Sequence, residues 1–280
     1  MNFRVAYSTS LARPELRELT NIFEFDPFQF AVIGGNPNLI NQLTKSADFR
    51  WEWFDSPGEV LSASVFTKII ENPLQRVFRY ASQGNLSTAP EFPLIIYEND
   101  PNKGKVYGVE MEARRDLGKV WDPLKYLFFG TNLLFNVSSI QKNAERLDAA
   151  RINDRRSSET SPVFEQAPYA INTYLDYANT RSGTNITASF NMVGARLIQV
   201  QLDGTPDLYD RPTPTMDLVF SQKLGAKWLV KGFAKNLFDP AYKQVYTSPG
   251  EKGKYYGSEY IYRSYHKGAE FSLGLTYKLF

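Results

Sequence analysis

The sequence predicts an all-β chain, a transmembrane antiparallel β-barrel segment of about ten strands. Three observations carry this. Apolar residues recur with period two rather than 3.6. The alternating segments run to about 9 to 16 residues, whereas strands of ordinary globular proteins cluster around 5–6 and a tilted membrane strand needs about 9–11. The connections alternate strictly between long and short, as in barrels with long extracellular loops and short periplasmic turns.

Taken in order, the segment 2–10 alternates weakly. In 42–54, Leu43, Ala47, Phe49, Trp51 and Trp53 share one parity against Gln42, Thr44, Ser46, Asp48, Arg50 and Glu52. Segment 60–69 is again less clean. In 104–116, Tyr107, Val109, Met111 and Ala113 oppose Gly108, Glu110, Glu112 and Arg114. The apolar set is Leu127, Phe129, Leu133, Phe135 and Val137 in 126–141, and Tyr169, Ile171, Leu175 and Tyr177 in 167–177. It is Ile186, Ala188, Phe190 and Met192 in 184–197, and Met216, Leu218, Phe220 and Leu224 in 215–224. Segment 228–237 is weakly patterned. The last, 269–279, sets Phe271, Leu273, Leu275, Tyr277 and Leu279 against Ser272, Gly274, Thr276 and Lys278.

The connections 11–41, 70–103, 142–166, 198–214 and 238–268 are long, and 55–59, 117–125, 178–183 and 225–227 are short. The short ones carry turn chemistry in Asp55-Ser-Pro-Gly58, Asn179-Thr-Arg-Ser-Gly183 and Leu224-Gly-Ala. Both chain ends then fall on the short-turn, periplasmic side.

Successive strand side chains point to opposite faces, and in a bilayer the outward face is the apolar one. Asp48, Arg50, Glu52, Glu110, Glu112 and Arg114 are therefore expected to face a wet lumen. Trp51, Trp53, Tyr107, Tyr169 and Tyr177 sit where interfacial aromatic girdles belong.

Composition agrees. Aromatics make up 15% of 280 residues, too many for a disordered chain, yet mean hydropathy is −0.38. One apolar face per strand reconciles the two. No run of about 20 apolar residues exists for a membrane helix. A net charge of +2 without a basic block argues against nucleic acid as a partner. Cysteine is absent and His266 is the single histidine, which leaves no thiol chemistry and no multi-histidine metal site. No phosphate-cradling glycine loop, nucleophile elbow or metal-ligand spacing is present, so neither catalytic residues nor a cofactor are expected. Met1 is followed by Asn-Phe-Arg-Val-Ala-Tyr rather than by a basic and then apolar leader, which reads either as a cytoplasmic protein or as a fragment of something longer.

Two loops stand out. The connection 238–268 is rich in tyrosine, and Tyr242, Tyr246, Tyr255, Tyr256, Tyr260 and Tyr262 are candidate substrate contacts, since tyrosine joins a large apolar body to a polar tip. Loops on a rigid scaffold commonly carry function. Packing of loop on loop is the alternative. The connection 142–166, with Arg146, Arg151, Arg155 and Arg156, reads as a solvated, mobile tip.

Several strings resemble a known family. The stretch Asn2-Phe-Arg-Val-Ala-Tyr-Ser-Thr-Ser-Leu-Ala-Arg-Pro-Glu-Leu-Arg-Glu-Leu19 resembles a strand and loop entry of TonB-dependent outer-membrane receptors. So do Gly35-Asn-Pro-Asn-Leu39, Trp51-Glu-Trp-Phe54, the strand Gly58 to Lys68, Ile70-Glu-Asn-Pro73, Gly108-Val-Glu-Met-Glu-Ala-Arg114, Lys235-Asn-Leu-Phe-Asp239 and a terminal Phe280. Their order covers essentially the whole chain, with a flavour of Bacteroidota-type members. Phe280 departs, being out of phase with the apolar residues 271–279. Asp239-Pro-Ala-Tyr242 also replaces the longer motif of starch-utilisation-type importers, so a glycan cargo with a lipoprotein lid is not implied.

The resemblance implies that residues 1–280 are the C-terminal barrel segment, about ten strands of a barrel of about 22, lacking the plug domain and TonB-contact segment. It implies a Gram-negative outer-membrane receptor that takes up a scarce small-molecule or oligomeric substrate with energy from the TonB complex. Its partners would be outer-membrane lipid and its own plug and N-terminal strands. A second reading is a self-contained ten-stranded barrel, either an adhesin or a protease of the omptin type. In the protease reading, His266 would be joined on the rim by Asp239, Asp210 or Asp207.

Overall fold

The computed structural model describes residues 1–80, 93–153, 155, 157–246 and 260–279. Its strands are β1 (Asn2–Ala12), β2 (Phe23–Asp26), β3 (Ala31–Gly34), β4 (Gln42–Trp53), β5 (Val60–Glu71), β6 (Leu74–Tyr80), β7 (Pro93–Asn99), β8 (Gly104–Asp116) and β9 (Leu127–Gln141). They continue as β10 (Thr160–Ser161), β11 (Tyr169–Asn179), β12 (Thr184–Val193), β13 (Arg196–Gln201), β14 (Leu208–Asp210) and β15 (Thr215–Leu224). The last are β16 (Trp228–Lys235), β17 (Tyr242–Tyr246), β18 (Tyr260–Tyr265) and β19 (Glu270–Tyr277), and the helices are α1 (Leu16–Leu19) and α2 (Ala144–Asn153).

The ten expected strands are all present, in one antiparallel sheet ordered β1-β4-β5-β8-β9-β11-β12-β15-β16-β19, with β10 appended to β9. Boundaries shift where the backbone demands it. The strand expected to run to residue 197 stops at Val193, because the chain bends at Gly194, whose N–H bonds the Tyr169 carbonyl. Arg196 and Leu197 then enter β13, in another sheet. The strand expected to end at 237 stops at Lys235, because Asn236 takes a φ of 53°. The short turns close on glycines with positive φ, namely Gly58 (85°), Gly183 (68°) and Gly225 (65°), a conformation costly for residues with a Cβ.

The parity holds across the sheet. Phe3, Trp51 and Ala63 align in adjacent strands, as do Val5, Phe49, Val65, Val109 and Phe135. This apolar face is the exposed one: Val5 is 82% exposed, Val137 72%, Phe271 71% and Leu273 75%. The polar face is the sheltered one, with Glu52, Ser62, Ser64 and Asn136 buried. That polarity is the reverse of a water-soluble protein and the one a bilayer requires. No helix is long and apolar enough to cross a membrane among the described residues, which bears only on helical spans.

The long connections fold rather than trail. They build a second sheet of eight strands, ordered β18-β17-β14-β13-β6-β7-β3-β2. Most hairpins pair antiparallel, and β3 with β7 and β6 with β13 join parallel. The buried apolar core lies in this tier and at its junction with the barrel, not in the barrel wall. Val77, Leu197, Val200, Leu202, Tyr209 and Ala149 form one cluster, Val32, Leu94 and Ile96 another, and Ile70, Val106, Ile140 and Val163 a third. Only elements bathed by water are driven to hide apolar surface from it.

Candidate functional site

Two regions carry polar chemistry: the polar face of the long sheet and the loop tier at its long-connection end. On the polar face one row runs unbroken across seven strand pairs. Asn2, Glu52, Ser62, Glu112, Asn132, Asn172, Asn191 and Thr215 stand in register. From the neighbouring row Arg50 bridges two carboxylates of this one, with Nε 2.9 Å from Glu52 Oε1 and Nη2 2.8 Å from Glu112 Oε2. Arg4 reaches the other oxygen of Glu52 at 3.1 Å. Arg4 and Arg50 lie directly opposite one another, so Glu52 relieves a like-charge contact that cross-strand pairing alone would penalise. Of the six charged residues expected on this face, Arg50, Glu52 and Glu112 are therefore brought together. Asp48, Glu110 and Arg114 share their parity but make no ion pair among the described residues.

At the short-turn rim, Glu59 accepts the Asp116 N–H at 2.9 Å and lies 3.4 Å from both Arg115 and Lys119. The backbone bond first, then the Ser56 hydroxyl and Lys119, hold its carboxyl below the usual range.

The loop tier departs from expectation at 142–166. Residues 144–153 form α2, and Arg146 is 2% exposed rather than solvated, whereas Arg155 is exposed as expected and Arg156 lies outside the described residues. The Arg146 guanidinium Nη2 donates to Asp207 Oδ2 at 2.5 Å, and Asp207 Oδ1 accepts the Gln201 N–H at 2.9 Å. Burial opposes the charge on Arg146, and Asp207 outweighs it. A buried arginine is tolerable only when so paired. Nearby, Asp100 is 1% exposed, and burial pushes its carboxyl up. Glu98 is likewise raised by burial, against the pull of Arg79 at 2.5 Å. Asn99 clasps two loops, accepting from the Ile40 N–H and donating to the carbonyls of Ile40 and Asn72.

Tyrosine pairs dominate the hairpin β17–β18. Tyr242 stacks on Tyr265 with centroids 5.4 Å apart, and Lys267 Nζ sits 4.1 Å over the Tyr242 ring. Tyr246 packs edge-on against Tyr262 at 5.4 Å, and burial raises the Tyr262 hydroxyl. Tyr260 is 56% exposed. Tyr255, Tyr256 and Phe280 lie outside the described residues. Beside this hairpin a cleft of about 340 Å³ is lined by Arg196, Asp210, Arg211, Tyr242, Lys243 and Lys267, among others.

Of the three aspartates expected beside the rim histidine, the structure brings Asp239 to it: His266 Nδ1 donates to the Asp239 carbonyl at 2.8 Å and lies 3.5 Å from the Asp239 carboxylate, which also accepts the Gly268 N–H. Asp207 is engaged by Arg146, and Asp210 by Arg196 and Gln244.

The second sheet and the Arg146–Asp207 pair went unread in the sequence. A signal exists for the sheet: Ala31-Val-Ile, Leu94-Ile-Ile and Leu197-Ile-Gln-Val200 are short apolar runs bounded by turn residues. None exists for the pair, whose members lie 61 residues apart.

Comparison with known proteins agrees with this geometry. Residues 1–237 match the family model described as TonB dependent receptor-like, beta-barrel. A curated relative, the probable hemoglobin and hemoglobin-haptoglobin-binding protein 1 of Haemophilus influenzae, is 21% identical over 168 residues, 60% of this chain and 15% of its own length. The fold is similar to the siderophore receptor PirA of Pseudomonas aeruginosa, with a TM-score of 0.55 at 15% identity, covering 99% of this chain and 39% of that one. It is similar also to the copper transporter OprC, with a TM-score of 0.59 at 13% identity, covering 98% and 38%. The chain thus spans well under half the length of these relatives. With the family model matched over most of its length, and with a sheet apolar outside and polar within, this chain belongs to the TonB-dependent receptor-like β-barrel family.

Proposed function

We propose that this chain forms part of the wall and mouth of an outer-membrane receptor that imports a scarce substrate with energy from the TonB complex. The observation that carries the reading is the inverted polarity of a sheet with strands of up to 15 residues, which suits a bilayer and little else. The polar face is the lumen wall, where Asp48, Arg50, Glu52, Glu110, Glu112 and Arg114 meet water, substrate or a plug. The loop tier is the capture surface, and its tyrosine hairpin contacts substrate through Tyr242, Tyr246, Tyr260 and Tyr262.

Among the described residues β1 pairs only with β4, and β19 only with β16. An open edge cannot face hydrocarbon, because its backbone groups would go unsatisfied. The wall is therefore completed by further strands joining β1 and β19, and the plug that moves is supplied from outside these residues. The self-contained ten-stranded barrel requires β1 to pair with β19, and its rim-protease version requires His266 to act with the Asp239 carboxylate 3.5 Å away.

The test is uptake by cells carrying the full-length receptor, with ferric enterobactin, haemoglobin and copper as probes, in strains with and without the TonB complex. The expected result is receptor-dependent accumulation of one probe that vanishes without TonB. The Tyr242→Ala and Tyr262→Ala variants should lose binding of that probe while keeping the heat-modifiable barrel. Equal uptake in both strains would overturn the proposal.

A further inference from the structure

Both faces of the wall change character at one level near the long connections. On the apolar face of β8, Val109 and Tyr107 give way to Lys105, in a register row that runs Thr9, Lys45, Ile69, Lys105 and Ser139. On the other face Glu112 and Glu110 give way to buried Val106, which packs with Ile70, Ile140 and Val163 at the junction with the loop tier. Lysine is costly at the middle of a bilayer and tolerated at its margins. The ten residues from Lys105 to Arg115 span about 33 Å of strand. At a tilt of about 40° that is about 25 Å of depth, the height of the apolar band of such barrels. Lys105 therefore stands at one margin of the bilayer and Arg115 at the other.

The two margins differ in charge. Arg115 lies 3.1 Å from Asp55 and 3.4 Å from Glu59, so its charge is met within the protein. At the opposite margin Lys45, Lys103 and Lys105 share the sector β4–β8 with one carboxylate. Glu71 Oε1 accepts from Lys45 Nζ at 3.2 Å and from Lys103 Nζ at 2.7 Å. Each ammonium has three N–H donors and keeps others for a further partner. Lys105 is exposed and makes no hydrogen bond or ion pair among the described residues. One row nearer the middle of the membrane, Tyr7 is 70% exposed and Tyr107 55%, as interfacial aromatics are. Val5, Phe49, Val65 and Val109 follow in the next row.

We infer that Lys45, Lys103 and Lys105 form a site for the phosphate of a lipid headgroup in the outer leaflet, on the long-connection side of the membrane. That assignment rests on the reading that the apolar face meets lipid. Charge and continuity choose the occupant. Three lysines against the one carboxylate of Glu71 leave a surplus of positive charge. An apolar surface for acyl chains runs without a break from the lysines toward the middle of the membrane, and a soluble anion would leave it unused. Lysine stems lie along such a surface while their ammonium groups reach the headgroups. Glu71 closes β5 and Lys103 precedes β8. A headgroup bound between them braces both ends of the connection that carries β6 and β7.

Native mass spectrometry of the full-length receptor in phosphatidylcholine nanodiscs, doped with lipid A or with its dephosphorylated form, tests this. The wild type should retain on the order of tenfold more lipid A than the dephosphorylated form, and inorganic phosphate should not displace it. The Lys45→Gln, Lys105→Gln double variant should lose most of that preference, and the matching double arginine variant should keep it. Lys231→Gln, on the polar face in β16, should leave it unchanged. Equal retention of the two lipids, an undiminished preference in the glutamine variant, or displacement by inorganic phosphate overturns the inference and leaves the bilayer reading standing. A loss of equal size in the arginine variant or in Lys231→Gln overturns it too. A receptor recovered as a water-soluble protein outside the nanodiscs overturns the bilayer reading and the inference with it.

Discussion

Replacement of Arg146 by Met tests whether the loop tier is a cooperative folded unit. Arg146 is 2% exposed and Asp207 has 11% of its side chain exposed. The substitution leaves the Asp207 carboxylate in a sheltered site, still accepting the Gln201 N–H. Breaking a buried ion pair by removing one partner costs about 3–5 kcal/mol. At about 1.4 kcal/mol per factor of ten, that is roughly two to four decades of faster exchange in the segments the pair joins. Hydrogen exchange of the full-length receptor, read at 142–153 and 196–210, provides the measurement, with 104–116 in the wall as control. The wall should not change, because its strands are held by their own ladders. The Arg146→Met, Asp207→Leu double variant should recover part of the loss, since removing both charges leaves no unpaired charge, although the Gln201 N–H then loses its acceptor. Exchange in the single variant within threefold of wild type, or a double variant as loose as the single, would refute the reasoning.

Three further outcomes follow from the same structure. Val65, 52% exposed between Phe49 and Val109 on the apolar face, should tolerate Arg poorly, at about 2–4 kcal/mol near the midplane. Asn172→Arg on the polar face should cost far less, and equal shifts in urea unfolding from lipid vesicles would contradict the assignment of faces. Gly58 has a φ of 85° and open space around the missing Cβ, so Gly58→Ala should cost about 1–2 kcal/mol from backbone conformation alone. Gly58→Asn should cost less, and the reverse ranking would discount the backbone argument. Asp100 and Glu98 sit above their ordinary values of 3.8 and 4.5, mainly through burial. The folded state then binds protons more tightly than the unfolded one, so stability falls as pH rises. Opening free energies of 93–102 should be greatest below about pH 4 and decline as pH climbs through the raised values. Asp100→Asn should flatten that slope, and protection that grows with pH would reverse the sign.

The wall was legible because its signal is local and repeated. In 104–116, one parity of Tyr107, Val109, Met111 and Ala113 against another of glutamates and Arg114 reappears in the structure, residue for residue, in β8. Lipid on one side and water on the other impose that alternation at every step. The loops carried no such rule. The runs Ala31-Val-Ile and Leu94-Ile-Ile are each too short to distinguish strand from loop, and they become strands because β3 and β7 meet in parallel across some 60 residues. Arg146 misled for the same reason: on a helix with charged neighbours it looks solvated, and only Asp207, brought in by a distant loop, makes its burial affordable.

The tyrosines divide in the same way. Their abundance in 238–268 marked a surface worth attention, but whether they face one another or a ligand depended on the register of β17 and β18. That register sets Tyr242 against Tyr265 and Tyr246 against Tyr260.

By itself the sequence determined the number and order of the wall strands, which of their residues share a face, and the family, because each is written in period-two alternation, nearby turn residues and short local strings. The tertiary structure alone decided that the long connections form a second sheet, that Arg50 rather than Asp48 or Glu110 organises the charges, and that Arg146 is buried. These depend on contacts between segments far apart in the chain, where burial and charge pairing are set by what another strand or loop brings, and no local pattern records the neighbour.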